Sequence, residues 1–146
     1  MTALGAAAID GFESSRDFEQ VAALWREVFA YDSPHNAPAL VIRKKLEQRD
    51  GLFFVARLGQ SVVGTVMAGY DGHRGWIYSL AVLPDQRRSG IGSRLLRHAE
   101  ARLAELGCIK VNLQIVAGNE AAVAFYERHG YQVEPRISMG KRLWRG

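Results

Sequence analysis

Apolar and polar positions along the chain repeat with two periods, and the changes between them mark the elements. Phe18, Val21, Ala22, Trp25, Val28 and Phe29 recur at three- and four-residue steps, the stripe of an amphipathic helix. Ser14-Ser15-Arg16-Asp17 ahead of them reads as a helix start, a capping hydroxyl followed by an acid. Residues 6–13 fit a short first strand before it. Ser33-Pro34 interrupts the chain, and Asn36 with Pro38 opens a second helix over 38–48. Its stripe of Leu40, Val41, Lys44 and Leu46 is poorer.

After Gly51 the period shortens to that of strands. Residues 52–58 and 61–70 flank Gly59-Gln60, a hairpin signal. The turn Asp71-Gly72-His73-Arg74-Gly75 leads into a third strand over 76–82, so the three form an antiparallel meander. Ile91, Leu95, Leu96, Ala99, Leu103 and Leu106 then line one face of a helix that Gly107 closes. A strand over 111–116, a helix over 120–129 ended at Gly130, and short strands over 131–134 and 137–143 complete the chain. The order β α α β β β α β α β β gives one parallel crossover, from 76 to 116, in an otherwise antiparallel sheet. The class is α/β (α+β), and residues 1–146 form a single domain.

Composition narrows the setting without changing that picture. The apolar share of 48% and charged share of 23% are ordinary globular values. A chain of 146 residues buries enough surface for a core without metal or disulfide staples. The single cysteine, Cys108, has no internal disulfide partner and fits a cytosolic protein. No apolar run approaches the ~20 residues that span a bilayer, and residues 1–9 lack the basic start of a secretion signal. The net charge of +4 favours anionic ligands in general. Its arginines are scattered, so the contiguous basic stripe of a nucleic-acid binder is missing. The four histidines and one cysteine show no metal-ligand spacing.

The informative stretch runs Leu80-Ala81-Val82-Leu83-Pro84-Asp85-Gln86-Arg87-Arg88-Ser89-Gly90-Ile91-Gly92. A strand ends at Val82, Pro84 leads the chain outward, and a glycine-bearing turn opens a helix. The first N–H groups of a helix lack internal partners, and with the helix dipole they form an anion site. Gly90 and Gly92 allow a phosphate to approach the backbone, and Arg87 and Arg88 add positive charge. A nucleotide-like cofactor is implied. A phosphate-binding P-loop would need a lysine before its Ser or Thr, where Gly92 is followed by Ser93-Arg94. A dinucleotide fingerprint would want Gly or Ala at Leu95 and an acid near the end of the next strand, and residues 111–118 hold none.

Together these residues resemble the GNAT superfamily of N-acetyltransferases, whose pyrophosphate loop Arg/Gln-x-x-Gly-x-Gly/Ala is matched by Arg87-Arg88-Ser89-Gly90-Ile91-Gly92. Asn119-Glu120-Ala121-Ala122-Val123-Ala124-Phe125-Tyr126-Glu127-Arg128-His129-Gly130-Tyr131 matches the family's second motif, and the likeness covers residues 7–143. Val62 to Met67, the turn from Tyr70 to Gly75, and Ser138 to Leu143 look like the bacterial YpeA-type branch. The resemblance implies a sheet splayed between the fourth and fifth strands, with helices on both faces. It implies acetyl-CoA bound by the main chain of Leu80, Ala81 and Val82 and by the amides from Arg87 through Ser93, Ile91 among them. Asn119 would bond the cofactor's arm, and Tyr126 would stand beside the thioester sulfur.

Acyl transfer needs a neutral amine, a donor for the developing oxyanion and a proton for the departing thiolate. The backbone N–H of Val82 is the implied donor, worth ~3 kcal/mol. Tyr126, whose phenol keeps its proton at neutral pH, is the expected general acid. Many relatives carry a glutamate on the fourth strand, but Trp76-Ile77-Tyr78-Ser79-Leu80 has no acid. Water held by backbone or by Tyr78 and Ser79 could deprotonate the amine, as could Asp71 or His73; no base is assigned. Tyr31, Asp32, His73 and Tyr78 are the candidates to meet the acceptor, a small-molecule or protein amine. The expected partners are acetyl-CoA and that amine, with no metal, membrane or nucleic acid, and with a homodimer common among relatives. The alternative is a non-catalytic acyl-CoA-binding sensor.

Overall fold

A computed structural model describes residues 6–29 and 34–144. It divides into two compact units, one ending at Leu113 and the other beginning at Gln114. The first holds a five-stranded sheet in the order β1-β2-β3-β4-β5. Its strands are β1 (Ala8–Gly11), β2 (Phe53–Leu58), β3 (Ser61–Tyr70), β4 (Gly75–Val82) and β5 (Val111–Leu113). The first four pair antiparallel, and β5 lies parallel to β4. The helices are α1 (Ser14–Val28), α2 (Pro38–Glu47) and α3 (Ile91–Glu105). The meander, the crossover and the bounds of α1 and α3 follow the sequence pattern.

One sheet face packs on α1 and α2. Val21, Leu24 and Trp25 of α1 and Ile42 of α2 join Phe53, Val55, Met67 and Ala81 of the sheet in one buried cluster. Phe53 is stacked between Phe12 and Trp25, with ring centroids 4.2 and 5.8 Å away. α2 buries Pro38, Ile42 and Lys45; of the expected stripe, Val41 packs partly buried against the cluster and Leu40 is partly buried, whereas Lys44 and Leu46 are exposed. The other face carries α3, whose Ile91, Leu95, Leu96, Ala99 and Leu103 are all buried. This helix lies close on the sheet because Gly64 has no side chain. A Cβ there would come within 2.9 Å of Leu95 and 3.0 Å of the Ala81 carbonyl. Gly64→Val should therefore cost about 1–3 kcal/mol of stability, the ordinary cost of overpacking, read as a lower urea midpoint.

Two local expectations fail for identifiable reasons. Ser14 does not cap α1; Glu13 occupies the cap position without a side-chain bond. Asp17 instead reaches back to the Glu13 N–H at 2.9 Å, because its carboxylate is drawn inward by Arg16 and Arg57. β4 is not a uniform strand either. Ser79 has φ of 53°, and the register slips there, so that Met67 faces Tyr78 and Thr65 faces Ala81. This is a β-bulge, which bends a strand and re-aims its side chains. A buried relay holds it: the Trp25 indole donates to the Thr65 hydroxyl at 2.9 Å, and that hydroxyl donates to the Ser79 carbonyl at 2.8 Å. Thr65→Val should cost about 2–3 kcal/mol, since it orphans both a buried donor and the carbonyl that fixes the bulge.

The second unit contains α4 (Glu120–Arg128), begun by Asn119 and followed by Gly130 in the left-handed region at φ of 92°. The fifth strand stops at Leu113, short of the expected 116. No strand is found over 131–134 or 137–143. Val133, Ile137, Met139 and Leu143 are instead more than three-quarters exposed. Alternating apolar residues indicate which face a strand would bury, but the ladder also needs a neighbour's N–H and C=O groups, and the alternation does not supply one. A bond from Gln114 to Ser138, 2.6 Å, ties the segment locally.

Candidate active site

Three consequences of the chain's local chemistry meet where β4 runs into α3. First, β5 pairs only with the early half of β4, from Gly75 to Ile77, so among the described residues no strand pairs with the later residues of β4 on that edge. Second, the Leu83 N–H goes to the Val63 carbonyl on the β3 side at 2.9 Å. Successive N–H and C=O groups of a strand point to opposite edges, so those of Val82, and of Leu80 two residues earlier, face the unpartnered edge. The Val82 carbonyl there accepts the Arg87 Nε at 3.2 Å. Third, α3 begins without a side-chain cap and with no acid in its first turn.

The turn before α3 suits an anion. Arg88 and Gly90 both hold left-handed backbone, with φ of 66° and 85°. Glycine takes that conformation at no steric cost, whereas Arg88 pays a little strain for it. Nothing lies within 4 Å of where a Gly90 Cβ would stand, so the space over the helix start is open. Ser89 turns its hydroxyl inward to the Gln86 carbonyl, which leaves the outer surface of the loop to backbone and arginine. A phosphate group fits this set of donors. The sequence-predicted Leu80, Ala81 and Val82 are thus brought beside Arg87, Arg88, Ser89, Gly90, Ile91, Gly92 and Ser93 in one continuous strand, loop and helix start.

Asn119 and Tyr126 belong to the second unit. Asn119 caps α4 by accepting the Ala122 N–H at 3.1 Å, so its Oδ1 is engaged and its Nδ2 is the group available to a ligand. Tyr126 lies two turns further on, half-buried, with its ring edge-on to Phe125 at 5.1 Å and to Tyr131 at 5.6 Å. Burial pushes its phenol up to about 12. A phenol so placed keeps its proton through the neutral range.

The remaining candidates separate. Tyr31 and Asp32 lie outside the described residues. His35 is exposed in a short turn of helix after Pro34. Asp71 is committed to its hairpin: its carboxylate accepts the N–H groups of His73 and Arg74, both at 2.7 Å, and those bonds hold it below the usual carboxylate range. It is a poor base for that reason. His73 is exposed, its Nε2 facing the Arg74 guanidinium at 2.7 Å. Tyr78 stands on β4 with 41% exposure. Cys108 sits half-buried over Gly75, where a Cβ would meet its sulfur at 2.7 Å, so it packs as a small apolar group. Among the described residues no cluster of His, Cys, Asp or Glu could hold a metal, and no helix is long and apolar enough to cross a membrane. Sequence reasoning passed over Lys45 and Thr65. Only the position of Lys45 three residues after Ile42, on the buried side of α2, hinted at the first.

Known proteins share the fold and place the chain in a family. A family model described as the acetyltransferase (GNAT) family matches residues 18–131. An acetyltransferase of Yersinia pestis (strain Pestoides F) is 40% identical over 127 residues, 87% of this chain and 89% of its own length. Ard1 from Thermoplasma volcanium has a similar structure, with a TM-score of 0.78 and 25% identity over 89% of this chain and 85% of that one. The NatC complex bound to Gag peptide and CoA shares the fold, with a TM-score of 0.74 at 22% identity over 86% and 84% of the two chains. The chain belongs to the GNAT acetyltransferase family. It is an acetyltransferase, an acyl-transferring enzyme.

Proposed function

We propose that the protein transfers an acetyl group from acetyl-CoA to a primary amine, which attacks the thioester directly. One observation carries this: a strand edge that no strand covers among the described residues runs straight into an uncapped, acid-free helix start behind Gly90. The edge of Leu80, Ala81 and Val82 suits an extended amide-bearing arm, and the helix start behind Arg88 and Gly90, with the side chains of Arg87 and Arg88, suits its pyrophosphate; the Arg87 N–H itself is turned to the Pro84 carbonyl. CoA is the ligand of a fold neighbour, the NatC complex, and it has both parts. Acetyl-CoA supplies the activated thioester. The Val82 N–H is oriented to stabilise negative charge on the reacting carbonyl oxygen, Asn119 Nδ2 holds the arm, and Tyr126 gives the proton to the leaving sulfur. With Asp71 held in its turn and no acid on β4, water is the base proposed for the incoming amine. The whole chain acts as one such domain, in the reducing cytosol that its lone thiol suits.

Calorimetry with acetyl-CoA tests the cradle, and thiol release across a panel of amines tests the transfer. Gly90→Glu and Gly90→Lys share the backbone strain but differ in charge. The glutamate should bind acetyl-CoA roughly tenfold more weakly than the lysine, the effect of about 1.4 kcal/mol of electrostatics. No uptake of acetyl-CoA by the intact protein would overturn the proposal. Tight uptake with no thiol release on any amine would favour the acyl-CoA sensor.

A further inference from the structure

A second cluster lies on the opposite sheet face from α3 and outside the cofactor cradle. Lys45 of α2 has a side chain only 4% exposed. Its ammonium donates to the Asp50 carboxylate at 2.9 Å, to the Ala68 carbonyl, and to the Tyr78 hydroxyl at 3.3 Å. Burying an ammonium costs several kcal/mol unless it is well paired. Filling this side of α2 needs only an apolar residue, as Ile42 shows one turn earlier. Asp50 offsets the charge with both oxygens engaged, one by Lys45 and the other by the Leu52 N–H at 3.0 Å.

The group that does reach the surface is Tyr78. Its ring lies over Gly69, where a Cβ would stand 3.1 Å from the phenol oxygen, so the glycine makes the space and the lysine fixes the hydroxyl within it. An ammonium has only N–H donors, so the Tyr78 oxygen accepts from Lys45. Its own O–H then points onward as a donor, and among the described residues no acceptor takes it. Trp76, on the same strand face two residues earlier and 37% exposed, adds an apolar wall; its indole leans to Asp71 at 3.4 Å. A donor backed by a buried cation suits a carboxylate or carbonyl oxygen. It disfavours a second ammonium.

We propose that Tyr78 recognises the acceptor, selecting amines that carry a carboxylate or carbonyl oxygen, such as amino acids and peptides, over plain alkylamines and polyamines. Lys45 is the positioning residue that turns the phenol into a fixed outward donor. The inference rests on the acetyl-transfer proposal for its reaction, but on different residues for its specificity.

The test compares short ω-amino carboxylates with alkylamines of equal length in the thiol-release assay. The wild type should favour the carboxylate member by roughly 10- to 100-fold in kcat/KM, the range of one hydrogen bond to a charged group. Tyr78→Phe and Lys45→Met should collapse that ratio, and Lys45→Arg should restore part of it. Because the ratio is taken within one preparation, partial unfolding cancels from it. A wild type indifferent to the carboxylate, or a ratio that survives Tyr78→Phe, overturns the proposal while leaving acetyl transfer intact. A second measurement needs no turnover: the N-acetylated ω-amino carboxylates should bind the wild type and lose that binding in Tyr78→Phe. Equal binding to both proteins, or binding to neither, overturns it. Failure of the acetyl-transfer proposal itself shows separately, as absent uptake of acetyl-CoA.

Discussion

Tyr126→Phe is expected to lower kcat by roughly 10²- to 10⁴-fold, the span of a positioned general acid, while acetyl-CoA affinity changes little. The comparison is clean because the ring stays. Phenylalanine keeps the edge contacts to Phe125 and Tyr131, and among the described residues the Tyr126 hydroxyl bonds to nothing that its removal would orphan. Burial has raised the phenol to about 12 from an ordinary 10. A coenzyme thiol resembles a cysteine thiol, with a pKa of about 8.5. A full transfer of the proton ahead of bond cleavage is therefore uphill, so the phenol donates as the C–S bond breaks and charge gathers on sulfur. Tyr126 should accordingly impose no alkaline limb on kcat until the pH nears 12. The same raised value adds stability that is complete below about pH 10 and is lost as pH climbs through about 12. An unchanged kcat in the phenylalanine variant, measured at saturating acetyl-CoA, would remove the role.

What could be read in the sequence follows what each signal encodes. The stripe from Ile91 to Leu103 reports burial of one helix face, and that face is buried against the sheet. The loop from Arg87 to Gly92 was legible because a helix start, glycines and local charge act over a few residues. The Ser79 bulge was not, since it depends on Thr65 and Trp25, residues 14 and 54 positions away, meeting in space. Lys45 was hidden for a related reason: a lysine on a helix reads as solvated until its partners, Asp50, Ala68 and Tyr78, are seen to converge on it. The apolar alternation over 131–143 predicted strands, yet it carried no information about a partner edge.

Asp17→Asn should cost about 3–5 kcal/mol, a large share of the roughly 5–15 kcal/mol that stabilises an ordinary domain. Asp17 is fully buried and accepts from Arg57, from Arg16 at 3.0 Å and from the Glu13 N–H at 2.9 Å. Arg57 is itself only 11% exposed, with a second, longer contact to Asp10 at 3.4 Å. An asparagine would set an N–H₂ group against the guanidinium and strand its charge, whereas replacing Asp17 and Arg57 together by apolar residues should recover part of the loss. Burial opposes the charge of Asp17, but the bonds from Arg16, Arg57 and Glu13 outweigh it and bring the carboxyl down to about 2. A lowered carboxyl stabilises the fold above its unfolded value, about 3.9, and that contribution, about 2 kcal/mol, disappears as pH falls through about 2. The gap in urea stability between the wild type and Asp17→Asn should thus be widest near neutrality and narrow below about pH 4. A gap smaller than about 1 kcal/mol, the level of an exposed pair, or one indifferent to pH, would mean that this carboxylate does not join α1 to β2.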